Sequence, residues 1–353
     1  MFYADVENNT AGSKATLDCS VILSELGFAN YDIPVYLSKG TLTNVTSLIS
    51  GMLKLFTRLQ EHSTIVIQYP VLGIHRYLGF MLRLVRIRKS KVICIVHDLD
   101  SLRNDKPKWP LSDEIGRLNN FDVVLCHNPR MKAMLLAKGL TTTTHCLGLF
   151  DYLLEDKLTT QLKARHLTSP KSRVAFAGNL GKSAFLKNLG LVTGTTFRLY
   201  GPGYNLGNAA DHVEWLGSYT AEELPVRIDA DFGLIWDGDS IEVCNGHLGN
   251  YLKFNNPHKA SLYLVAKLPL IGPKDSAIGD FIEEHGVGIT ISSLLQLKDI
   301  FNGLTEEYYA EMKSNVEQIS AKVSSGAYLK AAMNCILNQN VEQLTSILPS
   351  LEK

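Results

Sequence analysis

Several things are missing from this 353-residue chain, and each absence narrows its class. Neither charge is in excess: 35 lysines and arginines balance 35 aspartates and glutamates. Bulk electrostatics therefore points to neither a nucleic acid nor a strongly acidic substrate. There is no C-x-x-C pair. The six cysteines (Cys19, Cys94, Cys126, Cys146, Cys244 and Cys335) lie far apart, as reduced, buried thiols of a reducing compartment do, and not at zinc-ligand spacing. No apolar run approaches the roughly 20 residues of a membrane-spanning helix. The opening residues, MFYADVENNT, lack a basic stretch followed by an apolar one, so no secretory leader is expected. The expectation is a cytoplasmic protein, free or held against the inner face of the membrane.

What is present is a 45% hydrophobic chain in which short β-rich runs alternate with helical patterns. That alternation predicts an α/β fold with parallel sheets. In the first half, residues 64–70, 91–98 and 121–128 read as strands buried on both faces, because each is almost uninterruptedly apolar. Helical patterns cover 43–61 and 72–89. A polar segment, 155–173, reads as a linker, after which the pattern restarts. RVAFAGNL, TFRLYGPG, ADFGLIWDGD and LPLIG read as strands, and 278–285, 294–302, 306–323 and 328–348 as helices. The division expected is a first domain over 1–160, a second over 170–335 and a helical tail over 336–353. Two doubly wound domains facing each other would bind ligands beyond the carboxyl ends of their strands.

The most informative stretch is FNNPHKASLYLVAKLPLIG, residues 254–272. Asn256 followed by Pro257 predicts a helix start, with asparagine as cap and proline in the first turn. Lys259 then falls where the helix dipole is positive, at a cost of roughly a few tenths of a kcal/mol. A bound diphosphate would reverse that sign, accepting bonds from free helix amides while Lys259 offsets its charge. The alternative is a solvated lysine that tolerates the penalty. His258 beside it reads either as a helper or as a surface residue.

GNLGKS, residues 178–183, approaches a P-loop but fails its spacing, since Phe176 stands where the first glycine is required. What remains is a strand entering a glycine turn and then a helix, with Gly178, Asn179 and Lys182 at its mouth. Amides there can hold an anion that Lys182 neutralises, or the turn can simply be tight with a solvated lysine. In LYGPG, Gly201 permits close approach of a flat group and Tyr200 could flank a base, although a plain turn reads equally well.

Asp98-Leu99-Asp100 and Asp237-Gly238-Asp239 both fit D-x-D, a short and common spacing, and no metal site is expected from either. Asp98 ends a buried strand and is a candidate general base toward an acceptor hydroxyl; its other reading is a cap or a salt bridge to Arg103. The loop NNTAGSKATLDC follows the first short strand and offers Thr10, Gly12, Ser13 and Lys14 as acceptor contacts, or serves as an ordinary connection. Between 76 and 91 stand six basic residues (Arg76, Arg83, Arg86, Arg88, Lys89, Lys91) and no acid. Such a stretch is either a core-packed helix with a solvated basic side or a peripheral membrane contact.

Taken in order, the polar loop after the first strand, VHDLDSLR, GNLGKS, LYGPG, ADFGLIW and NNPHK resemble the GT-B glycosyltransferases. Within them the chain resembles the glucosyltransferases that extend O-glycans of serine-rich-repeat adhesins, together with β-1,6-galactofuranosyltransferase-like proteins. The resemblance implies two Rossmann-like domains facing a cleft, a UDP-sugar bound mainly by the second, no metal or other cofactor, and a homo-oligomer. It implies that Asn179 and Lys182 meet the donor phosphates, that Tyr200 and Gly201 lie near the nucleotide, and that Lys259 holds the diphosphate. The acidic residue that relatives place after this lysine to hold the ribose is absent; Ser261, Leu262 and Tyr263 occupy that region. The activity implied is metal-independent transfer of a hexose from a UDP-sugar to a glycan acceptor, such as a GlcNAc-modified adhesin. Lys259 and Lys182 would stabilise the leaving group and Asp98 would act as base. Alternatives are a galactofuranosyltransferase of exopolysaccharide assembly acting on a lipid-linked acceptor, and a non-catalytic nucleotide-sugar-binding subunit.

Overall fold

The computed structural model describes residues 11–31, 41–71, 77–163, 172–205 and 210–347, which build two parallel sheets. The first contains β1 (Thr64–Tyr69), β2 (Lys91–Val96), β3 (Val123–Cys126) and β4 (Thr143–Cys146), in that spatial order and all parallel. The uninterrupted apolar runs of β2 and β3 serve both faces. Val92, Cys94, Val96, Val124 and Cys126 point into one core, and Ile93, Ile95, Val123 and Leu125 into another. Side chains alternate along a strand, so burial on both faces demands an apolar residue at every position. The helix Leu78–Ile87 covers the first of these cores through Leu78, Met81, Leu82 and Val85.

The second sheet contains β5 (Arg173–Ala177), β6 (Thr196–Tyr200), β7 (Val213–Trp215), β8 (Phe232–Leu234), β9 (Leu270–Pro273) and β10 (Gly288–Ile291). Its spatial order is β10-β9-β8-β5-β6-β7. The chain leaves β5 in one direction to form β6 and β7, then returns to the other side of β5 to form β8. The topological switch point therefore lies between the carboxyl ends of β5 and β8, where such sheets leave a crevice.

Residues 155–173, expected as linker, contain the helix Asp156–Lys163. The last helix runs unbroken over Ala327–Ile347, close to the 328–348 expected, and passes residue 336 without a break. It returns to the first domain, where Leu329, Ala332, Met333 and Ile336 pack with Ile93, Ile95, Val123 and Leu125. Its start is held by Asp151, whose carboxylate accepts from the backbone amides of Tyr328 (3.2 Å) and Leu329 (2.8 Å). Among the described residues no helix is long and apolar enough to cross a membrane.

Three strands that the sequence pattern does not show are β4, β7 and β10. Each is an edge strand of three or four residues. An edge strand has one neighbour and a partly wet surface, so its pairing is set by the strand beside it more than by its own apolar pattern.

Candidate donor site at the domain cleft

The lysine helix spans His258–Val265 and its first turn sits at the switch point. Lys259 Nζ lies 4.2 Å from the centroid of the Phe176 ring on β5, and 3.7 Å from Oδ2 of Asp237 beyond β8. A Cβ on Gly178 would come within 3.3 Å of Lys259 Cε, so the glycine at the end of β5 makes room for the lysine stem. The cation thus lies over an aromatic face, opposite a carboxylate, and both charged side chains keep about a fifth of their surface open (19% each). The amino end of the helix dipole adds to the positive potential. The arrangement suits an anion that displaces Asp237 from the lysine.

The helix does not begin as expected. Pro257 is the flanking residue and gives no side-chain cap, while Asn256 turns toward the first domain. Its backbone amide donates to Nδ1 of His127 (3.1 Å), and its side-chain amide donates to the Gly148 carbonyl (2.6 Å) and accepts from Asn128 (3.0 Å). Asn128 also donates to the Phe254 carbonyl (2.7 Å) and caps its own helix at Met131 (2.9 Å). The lysine helix is therefore seated on the carboxyl end of β3 by bonds across the domains.

The glycine turns after β5 and β6 pack back to back. A Cβ on Gly201 would lie 1.9 Å from the Gly178 carbonyl oxygen, so nothing larger than glycine fits there. The segment after Gly178 is two 3₁₀ pieces, Leu180–Lys182 and Ala184–Leu191, where an α-helix was expected. Phe185 gives its amide to the Gly238 carbonyl (3.2 Å), outside any helical pattern. Asn179 and Lys182 are exposed on this turn.

Tyr200 departs from its expected role. Its ring is fully buried in the core and its hydroxyl accepts from the Asp229 amide (2.9 Å), so no face is left for a base. The outer side of this corner carries two aromatics: Trp215, whose indole donates to the Gly201 carbonyl (3.0 Å), and Tyr219, 6.5 Å from the Tyr200 ring.

In the first domain, Thr10 lies outside the described residues. Gly12, Ser13 and Lys14 sit on the helix Ala11–Glu25, not on a loop. Lys14 is buried and committed: Nζ donates to Asp18 (2.7 Å) and the Leu153 carbonyl (2.8 Å) and approaches Glu222 (3.8 Å). A lysine so engaged braces the two domains and is not offered to an acceptor. Burial drives the Asp18 carboxyl up to about 6 against the pull of Lys14.

Asp98 follows β2 at the carboxyl edge, as expected, and its salt-bridge reading is present. It pairs with Arg103 and accepts from the hydroxyl of Tyr251, which itself accepts from the Leu99 amide (3.0 Å). Burial raises its pKa to about 6, opposed by Arg103 and by the tyrosine hydroxyl. Asp100 bonds to Asn104.

Sequence reasoning passed over a group of histidines. His97 and His127 each stand directly after a buried strand, and both rings meet Phe150: His97 is stacked at 4.8 Å and His127 is edge-on at 5.1 Å. His258 joins them edge-on at 6.5 Å and stacks on Tyr152 at 5.0 Å, so it is no surface residue. Both ring nitrogens of His258 are buried, and the polar group that faces the ring is the Asp151 backbone. Burial lowers the pKa of His97 to about 3 and of His127 and His258 to about 4. The readable signal was VHD and CHN: a histidine at the carboxyl end of two neighbouring apolar strands.

Residues 2–149 match the model of the glucosyltransferase 3-like N-terminal domain, and residues 174–336 match that of the C-terminal domain. The chain is 31% identical to β-1,6-galactofuranosyltransferase WbbI of Escherichia coli K12 over 93% of its own length and 94% of the relative. It is 25% identical to glucosyltransferase 3 of Streptococcus gordonii over 70% and 71%. Among solved structures, Anabaena Alr3699/HepE in complex with UDP and glucose superposes with a TM-score of 0.55 at 13% identity, covering 98% of both chains. At that identity the likeness is one of fold, and the fold is GT-B.

Proposed function

The chain belongs to the glucosyltransferase 3-like family of glycosyltransferases, and from that premise we propose that it moves a hexose from a UDP-sugar to a glycan acceptor without a metal. The observation that carries this reading is Lys259 at the switch point, held between Phe176, Gly178 and Asp237. A nucleoside diphosphate laid across that crevice meets Lys259 and the first-turn amides at its diphosphate, with Lys182 at the exposed glycine turn. The Gly201 corner, with Tyr219 outside it, then faces the base.

In the reaction the acceptor hydroxyl attacks the anomeric carbon as the bond from that carbon to the diphosphate oxygen breaks. The electron pair leaves with UDP, where Lys259 and Lys182 stabilise the new charge. Asp98 takes the hydroxyl proton; a carboxylate with a pKa near 6 is ionised at neutral pH and still basic enough to help. A single displacement of this kind inverts the anomeric centre.

Galactofuranose on a lipid-linked glycan is the pairing favoured, because the relative covered over 94% of its length is named for galactofuranosyl transfer. Glucosyl transfer to an adhesin glycan is the second reading, supported by the 25% relative. The test is a panel of UDP-sugars assayed for UDP release with lipid-linked and GlcNAc-peptide acceptors. Acceptor-dependent release from no UDP-sugar would overturn the proposal.

A further inference from the structure

The neutral chain hides a strong charge asymmetry. Residues 33–97 contain nine lysines and arginines and one acid, Glu61. Within this stretch the helices Thr41–Arg58 and Leu78–Ile87 carry no acidic residue at all. Both lie on the outside of the first sheet, with Met52, Leu78, Met81, Leu82 and Val85 in one core. Contact between their ends is direct: the Arg88 guanidinium lies over the Phe56 ring at 4.5 Å.

The outer sides of these helices are not ordinary solvated faces. Ile49, Leu53, Phe80 and Ile87 are each more than half exposed. Ile49 and Leu53 are four residues apart, one turn of helix. Phe80 and Ile87 share a face with Arg83 between them, and Arg86, exposed beside Ile87, gives one guanidinium nitrogen to the Asn120 carbonyl (2.7 Å). A solvated helix face normally mixes both signs of charge and carries few large apolar groups. Here large apolar side chains stand among cations and small hydroxyl residues, with no anion in either helix.

We propose that this face is a peripheral membrane-docking surface that recognises an anionic lipid bilayer. Phe80, Ile87 and Leu53 enter the boundary between headgroups and acyl chains, while Arg83 and Arg86 meet lipid phosphates. The charge is complementary to an anionic leaflet and repels other cationic surfaces, including a second copy of the same face. Attachment is peripheral, since none of the described helices is able to span a bilayer. The inference deepens the lipid-linked-acceptor reading, yet it shares no residue with the donor site, so the two can fail separately.

The experiment is flotation of the full chain with vesicles of phosphatidylcholine alone, or with about a third phosphatidylglycerol as the anionic component. The expected result is flotation with the anionic vesicles alone, weakening as salt is raised. Arg83→Glu with Arg86→Glu should abolish it. Phe80→Ser with Ile87→Ser should reduce it severalfold even at low salt, with UDP affinity and the circular dichroism spectrum unchanged. Equal recovery with neutral vesicles, or wild-type flotation by both double variants, would overturn the proposal. So would sedimentation showing a wild-type oligomer that Phe80→Ser with Ile87→Ser splits, for the face would then be a self-interface.

Discussion

Asn256 gives its backbone amide to Nδ1 of His127 at 3.1 Å, joining residues 129 positions apart across the domain cleft. His127 can accept this bond because its Nε2–H is spent on the Val96 carbonyl at 3.0 Å, which fixes the tautomer. The two bonds seat the lysine helix on the end of β3. Lys259 is placed against the first domain by this joint as much as by its own helix.

Replacing Asn256 with alanine tests the joint. The Gly148 carbonyl and the Asn128 amide would each lose a partner in a buried setting. The expected loss is about 2–4 kcal/mol of stability, read as a lower urea midpoint. UDP affinity should fall as well, because Lys259 loses its seat.

Lys259→Ala should lower kcat/KM by about a hundredfold or more and weaken UDP binding measured by calorimetry. Arginine at this position should restore part of the binding. An alanine variant with unchanged UDP affinity and turnover would remove the lysine from the donor site.

For Asp98, the asparagine variant should keep UDP affinity and lose about a hundredfold or more in kcat. The wild-type rate should fall on the acid side near pH 6, where the carboxyl becomes protonated. Full turnover by Asp98→Asn would assign the proton to another group.

His258 should make the protein less stable in acid. Its pKa falls from 6.5 to about 4 on folding, so the unfolded chain binds the proton more tightly. Stability from this group is complete above pH 6.5 and is lost as pH drops toward 4. Relative to His258→Gln, the wild type should therefore lose thermal midpoint between pH 7 and pH 5.

Asp151 should act in the opposite sense. Burial raises its pKa from 3.8 to about 7, so the folded state binds the proton more tightly. Its cost is complete above pH 7 and is relieved as pH falls toward 3.8. The wild type should gain stability relative to Asp151→Asn as pH is lowered through that window, measured by paired urea melts.

The α/β class, the two domains and most inner strands are legible in the sequence, since a strand buried on both faces must be apolar throughout. The position of Lys259 in a first helical turn was legible too, as was Gly201, because a strand ending in glycine signals close approach. Other positions were misread for one shared reason: their partners are distant in the chain. Asn256 satisfies every local rule for a cap, but stronger bonds to His127, Asn128 and Gly148 claim it. Lys14, a candidate acceptor contact, is buried on Asp18 and Leu153; Tyr200, a candidate flank to a base, lies in the core. By itself the sequence determined which residues must be buried, because burial follows an apolar pattern over a few residues. Tertiary structure decided which polar groups face one another. A hydrogen bond is worth making wherever burial removes water, and the chain brings those partners together only on folding.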